Sequence, residues 1–318
     1  MQPPTFTDIL QAKRTISRYL PRTPLVSYPR LDKLCGTRIL VKHENHQLTG
    51  AFKVRGGINL MSRLSAEERS HGVISASTGN HGQSIAYAAQ LFGTRAVIVV
   101  PANANPLKVA SMKDLGAEVV FHGADFDAAR EHCAMLAARE KLRYIHSANE
   151  PMLIAGVATI ALEILEVAPD VTTIIVPIGG GSGASGACVA AKTLNPKIKI
   201  IGVQAERAPA AYRSWKAREL REDKMETAAE GLATRVAFEL TQQVLWQSLD
   251  DFILVTEDEI TRSISLYIEN AHTLAEAAGA ASLAAALKSR KRLAREIVAL
   301  VLSGGNITVE QLRGALAA

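Results

Sequence analysis

One lysine in this sequence stands where it could do covalent chemistry. Lys53 lies in the stretch HQLTGAFKVRGG, residues 46–57, after a small-residue turn and a phenylalanine. A lysine amine becomes a useful nucleophile when it is removed from water or placed near another positive charge, which Arg55 could provide. Most lysines are solvated surface residues. This stretch alone therefore leaves open a catalytic amine and an exposed lysine at the start of a helix.

A glycine-rich turn is a candidate phosphate site. The stretch VPIGGGSGASG, residues 176–186, follows an apolar strand and opens a helix. Backbone N–H groups without side chains can surround a phosphate, and a helix N-terminus adds positive potential. The alternative is a tight strand–helix turn, which five glycines within eight residues make the weaker interpretation. The candidate phosphate ligands are Gly179, Gly180, Gly181, Ser182 and Gly183.

The same turn also carries the pattern of a dinucleotide-binding site. Residues 181–186 read G-x-G-x-x-G, and Glu206 ends the next strand. Together these would indicate an NAD enzyme with an acidic residue on the ribose. A single G-x-G-x-x-G is weak evidence, so the rest of the chain has to decide.

Two further strand ends carry polar residues. The turn SASTGNHGQS, residues 75–84, could hold a carboxylate on its backbone amides, but Ser, Thr and Asn are also favoured helix caps. Both interpretations remain open for the candidates Ser77, Thr78, Gly79, Asn80 and His81. The stretch LSGGN, residues 302–306, offers the Ser303 hydroxyl for one hydrogen bond, or is a plain turn.

The stretch HENH, residues 43–46, resembles a metal site only superficially. Its histidines are three apart rather than four, and they follow a strand. Side chains on a strand alternate between faces, so we expect His43 and His46 to point apart. The sequence predicts no metal site there.

The order of secondary structure indicates what positions these turns. Between residues 72 and 146, short apolar strands alternate with helical patterns, and a second such set begins near residue 150. Alternating strands and helices predict parallel sheets with right-handed crossovers. We therefore expect an α/β fold of two open, twisted, mostly parallel sheets with helices on both faces. The smaller domain would span residues 48–148, and the larger would combine residues 1–47 and 149–318.

Composition narrows the classes of protein. With 36 basic and 31 acidic residues, the net charge of +5 is mild and gives no nucleic-acid-binding face. Three distant cysteines, Cys35, Cys133 and Cys188, form no disulfide framework and favour a reducing compartment. No signal sequence or bilayer-spanning stretch occurs, so we expect a cytoplasmic protein without membrane or nucleic-acid partners.

Four segments together resemble a known family. In order, they are TPL…LVKHENHQLTGAFKVRGG, STGNHGQSIAYAA, VPIGGGSGASG and LSGGN. They resemble the fold-type II pyridoxal-phosphate enzymes, and within them the serine/threonine dehydratase (ammonia-lyase) and serine racemase group. The resemblance covers nearly the whole chain and is more specific than the G-x-G-x-x-G, since all four segments would meet at one cofactor.

The resemblance implies a pyridoxal 5′-phosphate site between the two domains. Lys53 would form the Schiff base with the cofactor aldehyde, and Phe52 would pack on the pyridine ring. Asn80 would hydrogen-bond the ring hydroxyl, Ser303 would meet the ring nitrogen, and the loop at 179–183 would bind the phosphate. The turn at 77–81 would hold the substrate carboxylate.

The implied activity is dehydration of a β-hydroxy-α-amino acid to a 2-oxo acid and ammonia, in amino-acid catabolism. Threonine and serine are the expected substrates, and a bulkier one, such as β-phenylserine or 3-hydroxyaspartate, fits the same chemistry. The alternatives are a racemase and a non-catalytic protein that binds the cofactor. Thr78 stands where the racemases have a serine that acts on the far face of the α-carbon, so it is a third catalytic candidate beside Lys53 and Ser303.

Two further features follow from the resemblance. A cation site of the group would fall at Glu206 and the Ala210 carbonyl, but Tyr212 occupies the position of its second acid, so a monovalent or divalent ion is doubtful. Glu276 keeps an acidic position of the group, whereas Glu230 replaces its usual aspartate. A homodimer or homotetramer is expected, because most soluble oligomers are symmetric.

Overall fold

Two sheets organise the computed structural model, which describes residues 1–124 and 126–317. Its ten strands are β1 (Leu25–Ser27), β2 (Arg38–His43), β3 (Val73–Ala76), β4 (Ala96–Val100), β5 (Glu118–Phe121), β6 (Arg143–Tyr144), β7 (Thr173–Pro177), β8 (Lys199–Ala205), β9 (Asp251–Val255) and β10 (Ile297–Leu302). The larger sheet has the order β1-β2-β10-β7-β8-β9 and the smaller β5-β4-β3-β6. All pairings are parallel except that of the edge strand β1 with β2.

Helices connect the strands and cover the sheets. They are α1 (Phe6–Ile16), α2 (Pro29–Cys35), α3 (Lys53–Met61), α4 (Ala66–His71), α5 (Asn80–Leu91), α6 (Pro106–Asp114), α7 (Phe126–Glu140), α8 (Pro151–Val167), α9 (Ser182–Leu194), α10 (Ala210–Ala217), α11 (Glu239–Ser248), α12 (Glu257–Ala271), α13 (Ala277–Lys288) and α14 (Val309–Ala317). Two short 3₁₀ helices span Glu44–His46 and Glu230–Leu232.

Helix α8 is the central packing element of the chain. It is apolar on nearly all sides and packs against α3 and α9. A helix that is hydrophobic all round is normally buried, and this one buries thirteen of its seventeen residues. Its contacts with α3 connect the start of that helix to the core of the large sheet.

The strands end where the candidate residues begin. Strand β3 is followed directly by the turn at 77–81, β7 by the glycine-rich loop and β10 by Ser303. All three are interior strands of parallel sheets. The segments that follow β3 and β10 meet through a hydrogen bond between Asn80 and Asn306. Ligands of open α/β sheets bind at such carboxyl ends.

The structure confirms the predicted class of two mostly parallel sheets with helices. Strand β6 is short and pairs with β3 only at Arg143 and Tyr144. The domain limits at residues 48 and 148 remain a prediction. In the described part of the chain, no helix is both long and apolar enough to cross a bilayer.

Candidate active site

Lys53 is fixed at the first position of α3 by contacts of its neighbours with the end of β10. The N–H of Phe52 donates to the Ser303 carbonyl at 2.9 Å. Ala51 also forms an isolated antiparallel bridge with Gly304. The lysine therefore begins its helix beside the carboxyl end of the large sheet, and it is not a solvated surface residue.

The Lys53 amine is enclosed without a counter-charge in the described structure. Its Nζ lies 3.1 Å from the Ser182 Oγ and 3.3 Å from the Ser147 carbonyl, and 5.1 Å from the centre of the Phe52 ring. Burial lowers the pKa of Lys53 to about 8, because the charged ammonium is penalised when water is removed. A useful fraction of the amine is therefore neutral and nucleophilic near physiological pH.

Arg55 does not supply the positive charge that the sequence suggested. Residues two apart on a helix point to opposite sides, so its side chain turns away from the Lys53 amine. The guanidinium is fully buried and bonds both carboxylate oxygens of Glu44, at 2.7 and 2.8 Å. It also bonds both oxygens of Glu163, at 2.7 and 2.9 Å. Lys42 completes this group by donating to Glu163 at 2.6 Å.

This buried cluster links three elements that position the lysine. Arg55 lies on α3, Glu44 follows β2 and Glu163 lies on α8. Two cations face two carboxylates, so the charges balance inside the protein. Removing one partner of such a cluster leaves an uncompensated buried charge. Arg55 is thus a residue that orients α3.

The glycine-rich loop presents a row of free backbone donors. Gly181 has a φ of +89°, a left-handed conformation that favours glycine, and it caps the N-terminus of α9. Within the described structure, no backbone N–H from Gly179 to Gly183 donates a hydrogen bond. Most buried N–H groups in folded proteins are paired. Five adjacent unpaired donors at a helix N-terminus form a cradle for an anion.

Neighbouring segments enclose this loop closely. A methyl group on Gly179 would lie 2.2 Å from the Gly231 carbonyl, and one on Gly180 would lie 2.9 Å from the Ala148 side chain. The hydroxyl of Thr241 donates to the Gly180 carbonyl at 2.8 Å and so fixes the loop from α11. These glycines are needed for packing as well as for the exposure of their N–H groups.

Two predicted residues flank the space between Lys53 and the loop. Phe52 packs against Gly183, since a methyl group there would contact the ring at 3.4 Å. Ser303 is buried directly after β10, and its hydroxyl bonds no described residue. The aromatic ring and the free hydroxyl therefore remain available to a ligand.

Asn80 belongs to a hydrogen-bonded chain of three side chains. Its Nδ2 donates to the Glu276 carboxyl at 2.7 Å, and its Oδ1 accepts from the Asn306 Nδ2 at 2.7 Å. Burial raises the pKa of Glu276 to about 7. One N–H of the Asn80 amide is left over for a ligand. Asn306, the last residue of the stretch LSGGN, was not predicted from the sequence as a site residue.

The turn at 77–81 holds the start of α5 and leaves several of its backbone donors free. The Ser77 Oγ accepts from the N–H groups of Gly79 and Gly82, at 3.3 and 2.9 Å, so this serine caps α5. In the described chain, the N–H groups of Thr78, Asn80 and His81 donate to nothing. Three free donors in one turn suit a carboxylate.

The His81 imidazole is buried and uncharged. Burial, together with the nearby Lys53 and His146, lowers its pKa to about 3. The Ile145 backbone lies beside the ring, but neither ring nitrogen makes a hydrogen bond of good geometry with the described residues. If His81 contributes to anion binding, it does so through its backbone N–H.

The expected geometry of the HENH stretch is wrong. His43 ends β2, but residues 44–46 form a 3₁₀ helix, so the rings of His43 and His46 stack with centroids 4.8 Å apart. Among the described residues, no group of three or more His, Cys, Asp or Glu could hold a metal ion. Glu206 is exposed and the Tyr212 ring packs against Phe252. The possible cation site at Glu206 and Ala210 remains a prediction.

These residues fit pyridoxal phosphate. The unpaired loop amides match a phosphate, the uncompensated Lys53 amine matches an aldehyde, and the free hydroxyl of Ser303 and amide of Asn80 match polar atoms of a ring. A nicotinamide dinucleotide would need no buried lysine. The roles of the individual residues remain proposals.

The chain is similar over most of its length to proteins of one family. The family described as "Pyridoxal-phosphate dependent enzyme" matches residues 16–304. An L-threonine ammonia-lyase of Thermotoga maritima is 40% identical over 309 residues, which are 97% of this chain and 77% of that protein. The solved serine racemase of Dictyostelium discoideum has a TM-score of 0.91 at 34% identity, covering 96% of this chain and 99% of its own. A threonine deaminase of Solanum lycopersicum has a TM-score of 0.93 at 29% identity, covering 99% and 95%.

Proposed function

The chain belongs to the pyridoxal-phosphate-dependent enzymes and is a lyase of fold type II, and we propose that it releases ammonia from L-threonine or L-serine. The observation that carries this proposal is the half-buried Lys53 amine beside a cradle of unpaired N–H groups. Similarity to an L-threonine ammonia-lyase at 40% identity supports the choice of substrate. The products would be a 2-oxo acid and ammonia.

The proposed roles follow from where each residue lies. Lys53 would hold the cofactor covalently, the amides of residues 179–183 would bind its phosphate, and Phe52 would cover its ring. When bound, pyridoxal phosphate supplies an electron sink that acidifies the α-proton of an attached amino acid. Ser303 is a neutral hydroxyl at the end of β10, so it would not hold a proton on the ring nitrogen as a carboxylate does. Limited stabilisation of negative charge in the ring favours prompt loss of a β-leaving group.

The substrate would be oriented by the turn after β3. Its α-carboxylate would accept hydrogen bonds from the N–H groups of Thr78, Asn80 and His81. With the substrate carboxylate on this turn, the Lys53 amine would take the α-proton at its Nζ. A pKa near 8 suits a general base at physiological pH. The uncharged His81 and His146 keep further positive charge away from that amine.

The proposal is tested by the visible absorption spectrum of the purified protein and by 2-oxo acid release. The panel contains L-threonine, L-serine, D-serine, both β-phenylserine diastereomers and the 3-hydroxyaspartates. We expect a cofactor band that changes on addition of a substrate, with a 2-oxo acid and ammonia formed in equal amounts. A cofactor band without 2-oxo acid from any of these compounds would contradict the lyase proposal and indicate a non-catalytic cofactor-binding protein.

Racemisation is a second candidate activity, favoured by similarity to serine racemase and by the hydroxyl of Thr78. Thr78 is partly exposed in the turn, and its hydroxyl bonds no described residue. Its additional methyl group, compared with serine, crowds the space where a second proton donor would act. Chiral chromatography of L-serine during turnover tests this. We expect 2-oxo acid to form much faster than D-serine, and the reverse ratio would make the protein a racemase.

A further inference from the structure

A pocket beside Lys53 is lined partly by side chains that have no role in the site described above. Its inner end contains Ser147, whose carbonyl accepts from the Lys53 amine. Ala76, also at this end, directly precedes the turn at 77–81. Phe238 lines the pocket and lies 3.2 Å from where a methyl group on Gly180 would be. The pocket therefore adjoins the lysine, the turn and the phosphate cradle.

The outer part of this pocket carries two arginines and one acid. Arg130 lies on α7, and Arg235 lies in the segment before α11. Asp127 approaches Arg130 at 3.4 Å and Arg235 at 3.5 Å, both longer than a normal hydrogen bond. Neither guanidinium has another ion-pair partner among the described residues. Two cations thus share one carboxylate, which leaves one positive charge in excess.

The other titratable groups of the pocket do not offset that charge. The His146 Nδ1 accepts from the N–H groups of Ala148 and Asn149. Burial, Arg130 and Lys53 lower the pKa of His146 to about 4, so its ring is neutral. Burial raises the pKa of the Tyr144 hydroxyl, so that group is neutral as well. The pocket therefore presents a positive, partly exposed surface to whatever extends outward from the lysine.

We propose that this pocket binds a second carboxylate on the β-carbon of the substrate, which makes 3-hydroxyaspartate a better substrate than threonine. The proposal rests on the proposed lyase function and specifies its substrate class. With the α-carbon near Lys53 and the α-carboxylate on the turn, the β-substituent points into the pocket. Arg130 and Arg235 would each donate charge-assisted hydrogen bonds to that carboxylate. Guanidinium groups match carboxylates in shape, and they discriminate against a methyl group.

The overall reaction balances without a further reactant. Lys53 removes the α-proton, the bond from the β-carbon to its hydroxyl breaks, and the hydroxyl leaves with one proton as water, so the α-proton and the hydroxyl together account for the water lost. The resulting enamine takes up one water and releases ammonia. 3-Hydroxyaspartate is thereby converted to oxaloacetate and ammonia, with no net oxidation or reduction.

Aromatic side chains also line the pocket, so β-phenylserine is the competing substrate. Phe126, Tyr144 and Phe238 contribute this apolar surface. A phenyl group would displace water from two guanidiniums without giving them a hydrogen-bond acceptor, which is costly for polar groups. The excess charge is the observation that favours the dicarboxylate.

The test compares kcat/KM for the 3-hydroxyaspartate diastereomers, both β-phenylserine diastereomers and L-threonine in the holoenzyme and its variants. Arg130→Gln and Arg235→Gln should each lower the ratio of the best 3-hydroxyaspartate to L-threonine about tenfold or more, mainly through KM. Arg139→Gln is the control for Arg130, because Arg139 lies on the same helix and, within the described part of the chain, pairs with Glu140 alone. Arg207→Gln is the control for Arg235, since both side chains are 55% exposed and each pairs with one acid. Neither control should change the ratio.

A binding measurement separates recognition from turnover. Calorimetric titration of the holoenzyme with succinate, a dicarboxylate that cannot react, should show binding that weakens about tenfold in Arg130→Gln and Arg235→Gln. Butyrate, which lacks the second carboxylate, should bind the wild type and both variants alike.

Four outcomes would overturn the inference, and they are distinguishable. Turnover of L-threonine without turnover of any 3-hydroxyaspartate would refute it while leaving the lyase function intact. The same holds if β-phenylserine is the best substrate, or if the ratio is unchanged in both arginine variants. Absence of 2-oxo acid from every compound would refute the proposed lyase function itself, and with it this inference.

Discussion

The two halves of the candidate site are built in different ways. The proposed cofactor half would consist of Lys53, the glycine-rich loop at 179–183 and Ser303, and it is formed largely by backbone groups in tight contact with their neighbours. The proposed substrate half would consist of the turn at 77–81 with Arg130 and Arg235. In that half an added methyl group at Gly79 would meet nothing within 4 Å, and the arginines are partly exposed.

This difference separates what the fold requires from what it leaves free. In the proposed cofactor half, the same residues pack against their neighbours and would bind the cofactor. Few residue types can therefore replace them. In the substrate half, exposed side chains can change without disturbing the packing, so specificity can vary on a constant frame. The cofactor half should therefore respond to substitution with large losses of turnover or stability. The substrate half should respond with changes of preference.

Replacing Lys53 should have the largest effect. Lys53→Ala removes both the covalent anchor of the cofactor and the base at the α-carbon, so turnover should fall by about 10⁴-fold or more. The measurement is 2-oxo acid release with the best substrate, with circular dichroism to verify the fold. Lys113→Ala, an exposed lysine above the Phe121 ring, is the matched control and should retain turnover. Substantial turnover by Lys53→Ala would contradict the proposed role of Lys53 as cofactor anchor and base.

Breaking the buried ion cluster should cost the most stability. Arg55→Leu leaves Glu44 and Glu163 buried with only Lys42 between them, so the free energy of unfolding should fall by about 3–5 kcal/mol. The matched control is Arg95→Leu, since Arg95 also pairs with two glutamates but is 45% exposed. Its loss should be about 1 kcal/mol or less. Denaturant unfolding of both variants checks this, and equal losses would contradict an anchoring role for Arg55.

A smaller contrast is expected between two glycines. Gly179→Ala places a methyl group 2.2 Å from the Gly231 carbonyl, so stability should fall by about 1–3 kcal/mol and cofactor affinity should fall with it. Gly79→Ala places its methyl group in open space and should change stability by less than about 0.5 kcal/mol. The pair is compared by thermal unfolding and by titration with the cofactor. Similar stabilities would mean that the two halves do not differ in packing.

The smallest effect is a pH-dependent difference at Glu276. Its folded pKa of about 7 lies above the ordinary value of 4.5, so its contribution to stability is present below pH 4.5 and is lost as the pH rises to 7. Glu276→Gln stays neutral and can still accept from Asn80. The Tm of the variant relative to the wild type should therefore increase between pH 5 and pH 8. A constant difference across that range would contradict the raised pKa.

The sequence predicts the cofactor half far better than the substrate half, for a physical reason. Lys53 and the loop at 179–183 lie in short stretches whose residue types are dictated by local backbone geometry. Their motifs can therefore be recognised from the sequence alone. Arg130 and Arg235 are far apart in the chain and meet only through tertiary packing, and nothing in their neighbours marks them.

Predictions for individual side chains were wrong where the position depends on tertiary contacts or on the end of a strand. Arg55 follows Lys53 closely in sequence, but the helical repeat carries it to the opposite side of α3, where the partners Glu44 and Glu163 come from distant segments. The rings of His43 and His46 stack, contrary to expectation, because β2 ends at His43 and residues 44–46 turn in a 3₁₀ helix. Thr241, which fixes the glycine-rich loop, lies on α11, a helix that the sequence analysis did not identify.

The most direct test of the central claim is to locate the cofactor on the chain. The purified protein is treated with sodium borohydride, which converts a reversible lysine–aldehyde bond into a stable one, and its peptides are then analysed by mass spectrometry. The account predicts one added cofactor per chain, on the peptide that contains Lys53. A cofactor bound to a different lysine, or a protein loaded with pyridoxal phosphate but carrying no covalent adduct, would contradict it.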